Sequence, residues 1–414
     1  MTHTLPTWFA ERQQAALARY EATPTPKRGD EQWRFANIKQ LNFESQNERS
    51  GPSTDPTLIA RSIGLNKPAA KFVFQNETLL SAESTLPPEV ICLSLAEALV
   101  KHPDLVEAHF TKRETKLGSS KYAALHEASV KNGLFLHVPD GTKIEGAIEV
   151  HHWVSGEGPT FPHTLIIAGK SAKVRFIDIF RSVDETTPGL AIAYKDLYAG
   201  QNSSLDYVSI QALNEVSRII AIKETSTARD GHSKAFILNT GAAWARNESM
   251  SRLQGPGAHS DMLSVSIADH DQEYDQRTFQ HHISPNTNSD LLYKNTLYGR
   301  AKTVFSGLIS VDENAHHTDA YQTCRNLLMT DHAEANSMPG LEINADQVAC
   351  SHGSTTSQIS DEEIFYLQAR GIAPTQARQL IARGYSIEVL ARLNDDETET
   401  LVLKFIDEKF SRIL

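Results

Sequence analysis

The sequence predicts a mainly β protein in which a strand-rich middle lies between a mixed amino-terminal region and a helical carboxy-terminal tail. Residues 1–130 alternate helical and strand-like segments, and residues 357–414 follow the spacing of amphipathic helices. Between them, residues 131–356 carry about a dozen short runs rich in β-branched and aromatic residues, separated by Gly, Asn, Asp and Ser. No helix-length pattern interrupts these runs. A doubly wound α/β sheet is therefore excluded, and a sandwich, a barrel, a propeller or a β-helix remains.

The amino-terminal region is predicted to begin with a helix. Its apolar set runs from Trp8 to Tyr20, and Pro24 interrupts the helical pattern. Residues 47–56 are polar and rich in turn formers, which predicts a loop or linker. The segment KFVFQNETLL is typical of a strand and turn, and SLAEALVKHPDLVEAHF is typical of helix. The region therefore mixes both kinds of structure up to about residue 130.

Two features of residues 131–356 favour a β-helix over a sandwich. The strands are short, with one or two alternating apolar positions, and Gly or Asn stands where a left-handed residue would turn a corner. The absence of a strict repeat, such as a hexapeptide, argues in the other direction. The pattern alone thus prefers the β-helix and leaves the sandwich open.

The carboxy-terminal tail opens with a capping box. Ser360 is the predicted N-cap, and Glu363 follows three residues later, ahead of the apolar run IFYL. The last predicted helix is amphipathic, with the apolar side chains Leu401, Val402, Phe405, Ile406, Phe410 and Leu414. This face is expected to pack within the tail's own bundle. Because so small a bundle has little core, docking onto another subunit is the second expectation.

The overall composition is that of a soluble, acidic, globular protein. The 414 residues are 40% hydrophobic and 22% charged, with a net charge of −11. This charge gives no broad attraction for nucleic acid or anionic lipid, and no segment has the apolar length of a membrane span. The amino terminus lacks a secretory pattern, and the three cysteines include no CxxC motif, which suits a reducing compartment. A cytoplasmic location is therefore expected, with no nucleic-acid or membrane partner.

Signatures of several enzyme classes are absent from the sequence. It has no GxxxxGK[ST] phosphate loop, no GxGxxG, no GxSxG elbow and no HExxH, so we expect a chain that binds no nucleotide. Adjacent histidines invite a metal site, but neighbouring side chains on a strand point to opposite faces. We expect isolated, hydrogen-bonded histidines in three pairs: His151 and His152, His281 and His282, His316 and His317. The surviving alternative is a ligand set with one member from each of two stacked strands.

The most informative local arrangement is VACSHGST, residues 348–355. Cys350 and His352 are two residues apart on a predicted strand, so their side chains share a face. A thiolate and an imidazole suit iron, zinc or sulfur chemistry, but a closed site needs about four ligands. Cys324 lies 26 residues earlier, about one turn of a solenoid, and could stack beside them. The alternative is a buried structural thiol at Cys350 and a turn histidine at His352.

Longer segments around these residues resemble a known family. The run from Thr318 to Ile372 includes CSHG and the capped segment DEEIFYLQARGI. It closely resembles the SufD branch of the SufB/SufD family, the scaffold proteins of the SUF iron-sulfur cluster assembly system. The segments HHISPNTNSDLLYKNTLYGRAKTVFSGLISV and GDEQWRFANI also fit, so the resemblance covers essentially the whole chain. It implies a right-handed parallel β-helix over 131–356, flanked by an amino-terminal mixed and helical region over 1–130 and a carboxy-terminal helical region over 357–414.

The resemblance also implies a function. The chain would be a non-enzymatic scaffold subunit that pairs with a SufB homologue through the β-helices and holds the ATPase SufC through its carboxy-terminal helices. Cys350 and His352 fall on the family's cysteine and histidine at the subunit interface, where a transient iron-sulfur cluster or iron would be held with ligands from the partner. SufB has glutamates at these two positions and its own cluster-building cysteine near the position of Cys324, where D-type chains commonly have another residue. Cys324 is therefore either a spare ligand or a chance occurrence, and we favour the chance occurrence. Reduced flavin could take part in the complex, and the chain alone could form a homodimer.

Two other classes of function stay open at this point. A β-helix polysaccharide lyase or hydrolase would need clustered carboxylates, which the stretch ADHDQEYDQ (268–276) could supply, and normally an export signal. A stand-alone metal-storage protein would use the many histidines and would bind metal tightly and stoichiometrically.

Overall fold

A computed structural model describes residues 5–41, 54–156 and 158–413. Its centre is a parallel β-helix built from two long sheets, with helical regions before and after it. The predicted mainly β fold with a β-helix core is therefore confirmed. Most of the predicted linker, residues 47–53, lies outside the described residues, as does Leu414.

The strands are, in chain order, β1 (Ala70–Gln75), β2 (Thr78–Ser84), β3 (Ile91–Ser94), β4 (Gly133–Val138), β5 (Ile148–Val154), β6 (Pro159–Thr160), β7 (His163–Ala168), β8 (Lys173–Ser182), β9 (Leu190–Ala199), β10 (Ser204–Ala212), β11 (Arg218–Thr227), β12 (His232–Asn239), β13 (Trp244–Leu253), β14 (His259–Ala268), β15 (Glu273–His282), β16 (Asn288–Leu297), β17 (Lys302–Val311), β18 (Asp319–Leu328), β19 (Glu334–Ile343) and β20 (Ala349–Gln358). The α-helices are α1 (Thr7–Ala22), α2 (Thr57–Arg61), α3 (Leu95–Lys101), α4 (Pro103–His109), α5 (Ser120–Ser129), α6 (Asp361–Gln368), α7 (Pro374–Ile387) and α8 (Asp396–Ile413). Short 3-10 helices cover Glu31–Trp33, Ile38–Leu41 and Glu388–Arg392.

The chain alternates between the two sheets, so that each coil adds one strand to each sheet. Sheet one has the order β2-β1-β5-β8-β10-β12-β14-β16-β18-β20. Sheet two has the order β3-β4-β7-β9-β11-β13-β15-β17-β19, with β6 beside β9. Pairing is antiparallel at β1–β2 and β3–β4 and parallel along the coils that follow. Strands β1 to β3, which precede residue 131, thus extend both sheets at their amino-terminal end.

Asparagine turns several corners of the β-helix, as the sequence predicted. Asn202 and Asn286 have φ angles of 55° and 59°, in the left-handed region that asparagine tolerates better than most residues. From β5 to β20, register partners in successive strands of sheet one are 27 to 31 residues apart. The coil length therefore varies, which explains why no strict repeat is visible in the sequence.

The helices of the amino-terminal region cover the outer face of sheet two. Phe9 of α1 and Trp33 are buried in one cluster with Ile192, Ile220 and Trp244 from that sheet. A parallel sheet of this kind is apolar on both faces where both are covered, which accounts for the near-continuous burial along β9 to β15.

The carboxy-terminal tail covers the outer face of sheet one. Phe405 and Ile406 of α8 are buried against Ile179, Val208 and other residues of β8 to β14. The expectation that this apolar face packs within the tail's own bundle is confirmed only in part, since it meets Val389 and Leu390 of the tail but also packs on sheet one. The physical reason is that sheet one offers a far larger apolar surface than three short helices can offer each other. None of the described helices is both long and apolar enough to cross a membrane.

Candidate functional site

The last coil of the β-helix is open on one side. Strand β20 pairs with β18 and strand β19 pairs with β17, and each is the terminal strand of its sheet in the described part of the chain. Their inner faces therefore lack the covering coil that buries the inner faces of earlier strands. Along β20, nine of ten residues are exposed. This open end is where an inward-pointing side chain remains accessible.

Cys350 and His352 lie on β20 and point towards the interior of the β-helix. In the register of the sheet Cys350 lies beside Ala320 and His352 beside Gln322, and both of these neighbours on β18 are buried. Side chains in register on parallel strands share a face, so the predicted common face is the inner one. Cys350 is half-buried against Ile309 and Val311, whereas His352 is exposed.

The local electrostatics keep the free thiol protonated at neutral pH. Burial raises the pKa of the Cys350 thiol and the nearby carboxylate of Asp319 adds to this shift, while a hydrogen bond with the Ala320 backbone partly offsets it. A metal ion would displace the thiol proton on binding, because the thiolate is the ligand. The Cα atoms of Cys350 and His352 are about 7 Å apart for two residues of strand, so the two side chains can converge on one ion.

Gln322, on the neighbouring strand β18, adds a polar group next to His352. Its side chain is buried, and its Nε2 donates to Gln280 Oε1 at 3.4 Å. Among the described residues its Oε1 has no hydrogen-bond partner. It lies in register with His352 and is an acceptor that could orient the imidazole, as carbonyl groups behind metal-binding histidines commonly do.

The structure does not bring Cys324 to this site. Ala320, not Cys324, lies beside Cys350, and Cys324 lies beside Ser354 instead. The offset of four residues is about 13 Å along the strand. Cys324 is fully buried, burial raises its pKa to about 12, and its Sγ has Asn295 Nδ2 and Ser337 Oγ at 3.8 Å. The expected stacking of Cys324 on Cys350 was wrong because the coil at this point is 30 residues long, not 26.

Two apolar residues at the open end were missed by the sequence analysis. Leu341 and Ile343 of β19 lie in register with Ile309 and Val311, which are buried in the interior, yet they are 36% and 40% exposed. Together with Cys350 they form an apolar rim beside the exposed His352. The alternation Leu341–Glu342–Ile343 was the available signal, since alternating residues face one side of a strand.

Most of the paired histidines behave as predicted where their contacts are described. His151 Nε2 is hydrogen-bonded to Glu149 Oε1 at 2.6 Å, whereas His152 Nε2 lies 2.7 Å from Asp178 Oδ1 at ion-pair distance without hydrogen-bond geometry. Hydrogen bonds also join His281 to Asp312, His282 to Thr287 and Ser289, and His316 to the Asp346 carbonyl. None of the six histidines belongs to a cluster of metal-binding side chains in the described residues.

Comparison with known proteins places the whole chain in one family. Residues 152–385 match the family model described as SUF system FeS cluster assembly, SufBD core domain, and residues 2–150 match the SufBD protein N-terminal region. The iron-sulfur cluster assembly protein SufD of Bacillus subtilis is 23% identical, over 98% of this chain and 95% of its own length. A chloroplastic SufBD family protein of Arabidopsis thaliana is 24% identical, over 94% of this chain and 75% of its own length. A SufBD family protein of Staphylococcus aureus is also 24% identical, over 92% of this chain and 84% of its own length. The chain therefore belongs to the SufBD family of SUF-system iron-sulfur cluster assembly proteins.

Proposed function

We propose that this chain is a non-enzymatic, D-type scaffold subunit that forms a heterodimer with a SufB homologue in the cytoplasm. In this proposal the cluster or its iron is cargo held at the interface by Cys350, His352 and ligands of the partner. The single observation that carries the proposal is the position of Cys350 and His352 on the inner face of the uncapped last coil.

The open end of the β-helix supports pairing through this end. Strands β19 and β20 each have one edge without a strand partner in the described residues, and unpaired edges readily accept another strand. The apolar rim of Leu341 and Ile343 beside them would be buried by a second β-helix. Cys350 and His352 supply two ligands, and about four are needed to close a site, so the remainder would come from the partner.

The tail supports docking of the ATPase SufC. While α8 is buried on sheet one, Phe365 and Tyr366 of α6 are 70% and 57% exposed, and Leu380 of α7 is 47% exposed. The helix that presents the two aromatic residues is held by the predicted capping box, with Glu363 N donating to Ser360 Oγ at 3.1 Å. Exposed aromatic side chains on a rigid helix are typical anchors of a protein interface.

In this proposal each of the three regions of the chain has its own role. Residues 1–130 would brace the β-helix, residues 131–356 would carry the cluster interface, and residues 357–414 would dock SufC. ATP binding would draw two SufC subunits together, and the tails would transmit this movement to the heterodimer interface. Exposure of Cys350 and His352 would then let iron and sulfur meet thiolates supplied largely by SufB. Reduced flavin, if the complex uses it, would supply electrons to the nascent cluster.

The polysaccharide lyase or hydrolase has less support. Asp275, from the carboxylate-rich stretch 268–276, is buried and forms ion pairs with Arg246 and Arg277. Glu273 of the same stretch accepts a hydrogen bond from the backbone N–H of Asn37 at 2.8 Å. These two carboxylates are covered by the amino-terminal region and do not face an open groove. A polysaccharide-cleavage assay on the purified chain would support this alternative if it detected activity.

The test of the proposal is the variant His352→Ala in the complex reconstituted with its SufB and SufC homologues. We expect cluster formation, followed by its visible absorbance, to be lost while the circular dichroism and melting temperature of the chain stay unchanged. His332→Ala is the matched control, because His332 is exposed on the turn before β19 and outside the proposed site. Cluster yield equal to the wild type in His352→Ala would refute the assigned role.

A further inference from the structure

A second group of side chains with metal-binding groups lies on the outer face of sheet one, three strands before β20, the strand that carries Cys350. His232 begins β12 and His259 begins β14, and the two are register partners on adjacent strands. Asp261 is two residues further along β14 and therefore on the same face as His259. We propose that these three side chains bind one divalent transition-metal cation of the Zn²⁺ or Fe²⁺ class.

The distances fit a metal site. His232 Nε2 lies 3.1 Å from Asp261 Oδ2, and His259 Nε2 lies 3.4 Å from Asp261 Oδ1. In a tetrahedral site with metal bonds near 2.1 Å, ligand atoms are about 3.4 Å apart. The candidate ligand atoms of the three residues all lie within 4.8 Å of one another. The distance from His232 Nε2 to Asp261 Oδ2 already has about the length of a tetrahedron edge, and rotation of the His259 imidazole can bring its nitrogen towards the same oxygen.

The imidazoles are free to make that rotation. The side chains of His232 and His259 are 38% and 39% exposed, and their rings meet edge to face with centroids 4.7 Å apart. This exposure also leaves room for one or two water molecules as further ligands. Two nitrogen atoms and one carboxylate oxygen select borderline cations such as Zn²⁺ and Fe²⁺ over Ca²⁺ or Mg²⁺, which prefer all-oxygen sites.

Arg392 connects this group to the carboxy-terminal tail. Its guanidinium donates to Asp261 Oδ1 and to Asp290 Oδ2, both at 2.7 Å. His232 approaches the other oxygen of Asp261, so a metal bound on the Oδ2 side need not break the bond to Arg392. The positive charge of Arg392 nevertheless repels a cation placed beside it. Removal of this charge should therefore raise the affinity for metal.

The competing interpretation is a purely structural set of hydrogen bonds in which both histidines donate to Asp261. It predicts no metal binding, and it predicts that Arg392 has no effect on metal affinity. Direct binding measurements therefore separate the two interpretations. The inference is independent of the proposed function, and its test is designed to exclude the Cys350 site.

The experiment uses the full-length, tag-free chain carrying Cys350→Ser, stripped of metal with a chelator. Zn²⁺ binding is measured by calorimetry, and Co²⁺ absorbance reports the coordination geometry. We expect one Zn²⁺ per chain, with affinity reduced at least about a hundredfold in His232→Asn and in His259→Asn, since loss even of an outer-shell partner costs about 10–100-fold. Arg392→Gln should bind Zn²⁺ more tightly than the parent chain.

His270→Asn is the matched control, because His270 is exposed and lies near two carboxylates, Asp269 Oδ2 at 3.6 Å and Glu215 Oε2 at 4.0 Å, with no second imidazole in either ion pair. Its affinity should equal that of the parent chain. The proposal is overturned if the parent chain binds no stoichiometric Zn²⁺, or if His259→Asn binds it as tightly as His270→Asn. Melting temperatures of all variants in the presence of chelator show whether any loss reflects unfolding.

Discussion

Arg246 is a buried charge that joins the amino-terminal region to the β-helix, and its removal is expected to destabilise the protein strongly. The side chain is fully buried on β13. Its guanidinium donates to Glu248 Oε1 at 2.7 Å, to Asp275, and to the Leu117 carbonyl at 2.7 Å, and it lies 3.6 Å from the centroid of the Trp33 ring. Leu117 and Trp33 belong to the amino-terminal region, so these contacts cross from one part of the fold to the other.

The size of the effect follows from what Arg246→Met would leave behind. Glu248 is fully buried and, within the described part of the chain, would keep only its hydrogen bonds from Ser119, while Asp275 would keep its pairing with Arg277 at 2.6 Å. Removing one partner of a buried ion pair costs about 3–5 kcal/mol, because the other charge stays desolvated. Because Asp275 keeps its pairing with Arg277, we expect the loss of unfolding free energy to lie near the lower end of this range, at about 3 kcal/mol.

Denaturant unfolding followed by circular dichroism, with limited proteolysis of the amino-terminal region, would measure this loss. Arg300→Met is the matched control, since Arg300 pairs with Asp271 but both side chains are 69% exposed. Adding Glu248→Gln to Arg246→Met should restore part of the stability, because it removes the stranded charge. If Arg246→Met shifted the unfolding midpoint no more than Arg300→Met, the reasoning from buried charge would be refuted.

Three further outcomes are expected. Burial lowers the pKa of Lys223 to about 7 in the folded chain, whereas the unfolded side chain keeps its proton to about 10.5, so stability should rise with pH between these values. Lys223→Met should therefore raise the melting temperature most at pH 7 and progressively less towards pH 10; an equal gain at both pH values would contradict this. Gly307→Ala should lower stability by about 1–3 kcal/mol in thermal unfolding, because its Cβ would lie 2.1 Å from Gln322 Nε2, and an unchanged melting temperature would count against the close contact. Maleimide should label Cys350 faster than the buried Cys324 in a mass-spectrometric time course, and equal rates would disprove the difference in accessibility.

Local features of the fold were predictable because they depend on neighbouring residues. Short alternating runs and the asparagines at corners such as Asn202 predicted strands and turns, and the capping box at Ser360 predicted the start of α6. The shared face of Cys350 and His352 followed from the two-residue period of a strand. The motif around them also carried the resemblance that the family comparison confirms.

The register of the coils was decided only by the tertiary structure. Partners in parallel strands are 27 residues apart at His232 and His259 but 30 apart at Ala320 and Cys350, and this difference depends on the length of each turn. A small error in coil length therefore placed Cys324 beside the wrong residue, and the sequence alone did not show that His232 and His259 are register partners. The same holds for α8, whose amphipathic pattern determined that one face is buried but not that sheet one buries it. Sequence by itself determined the strands, the caps and the chemistry of the Cys350 motif, because these arise within a few residues of chain. Tertiary structure alone decided which distant side chains meet, because parallel pairing joins residues separated by a whole coil.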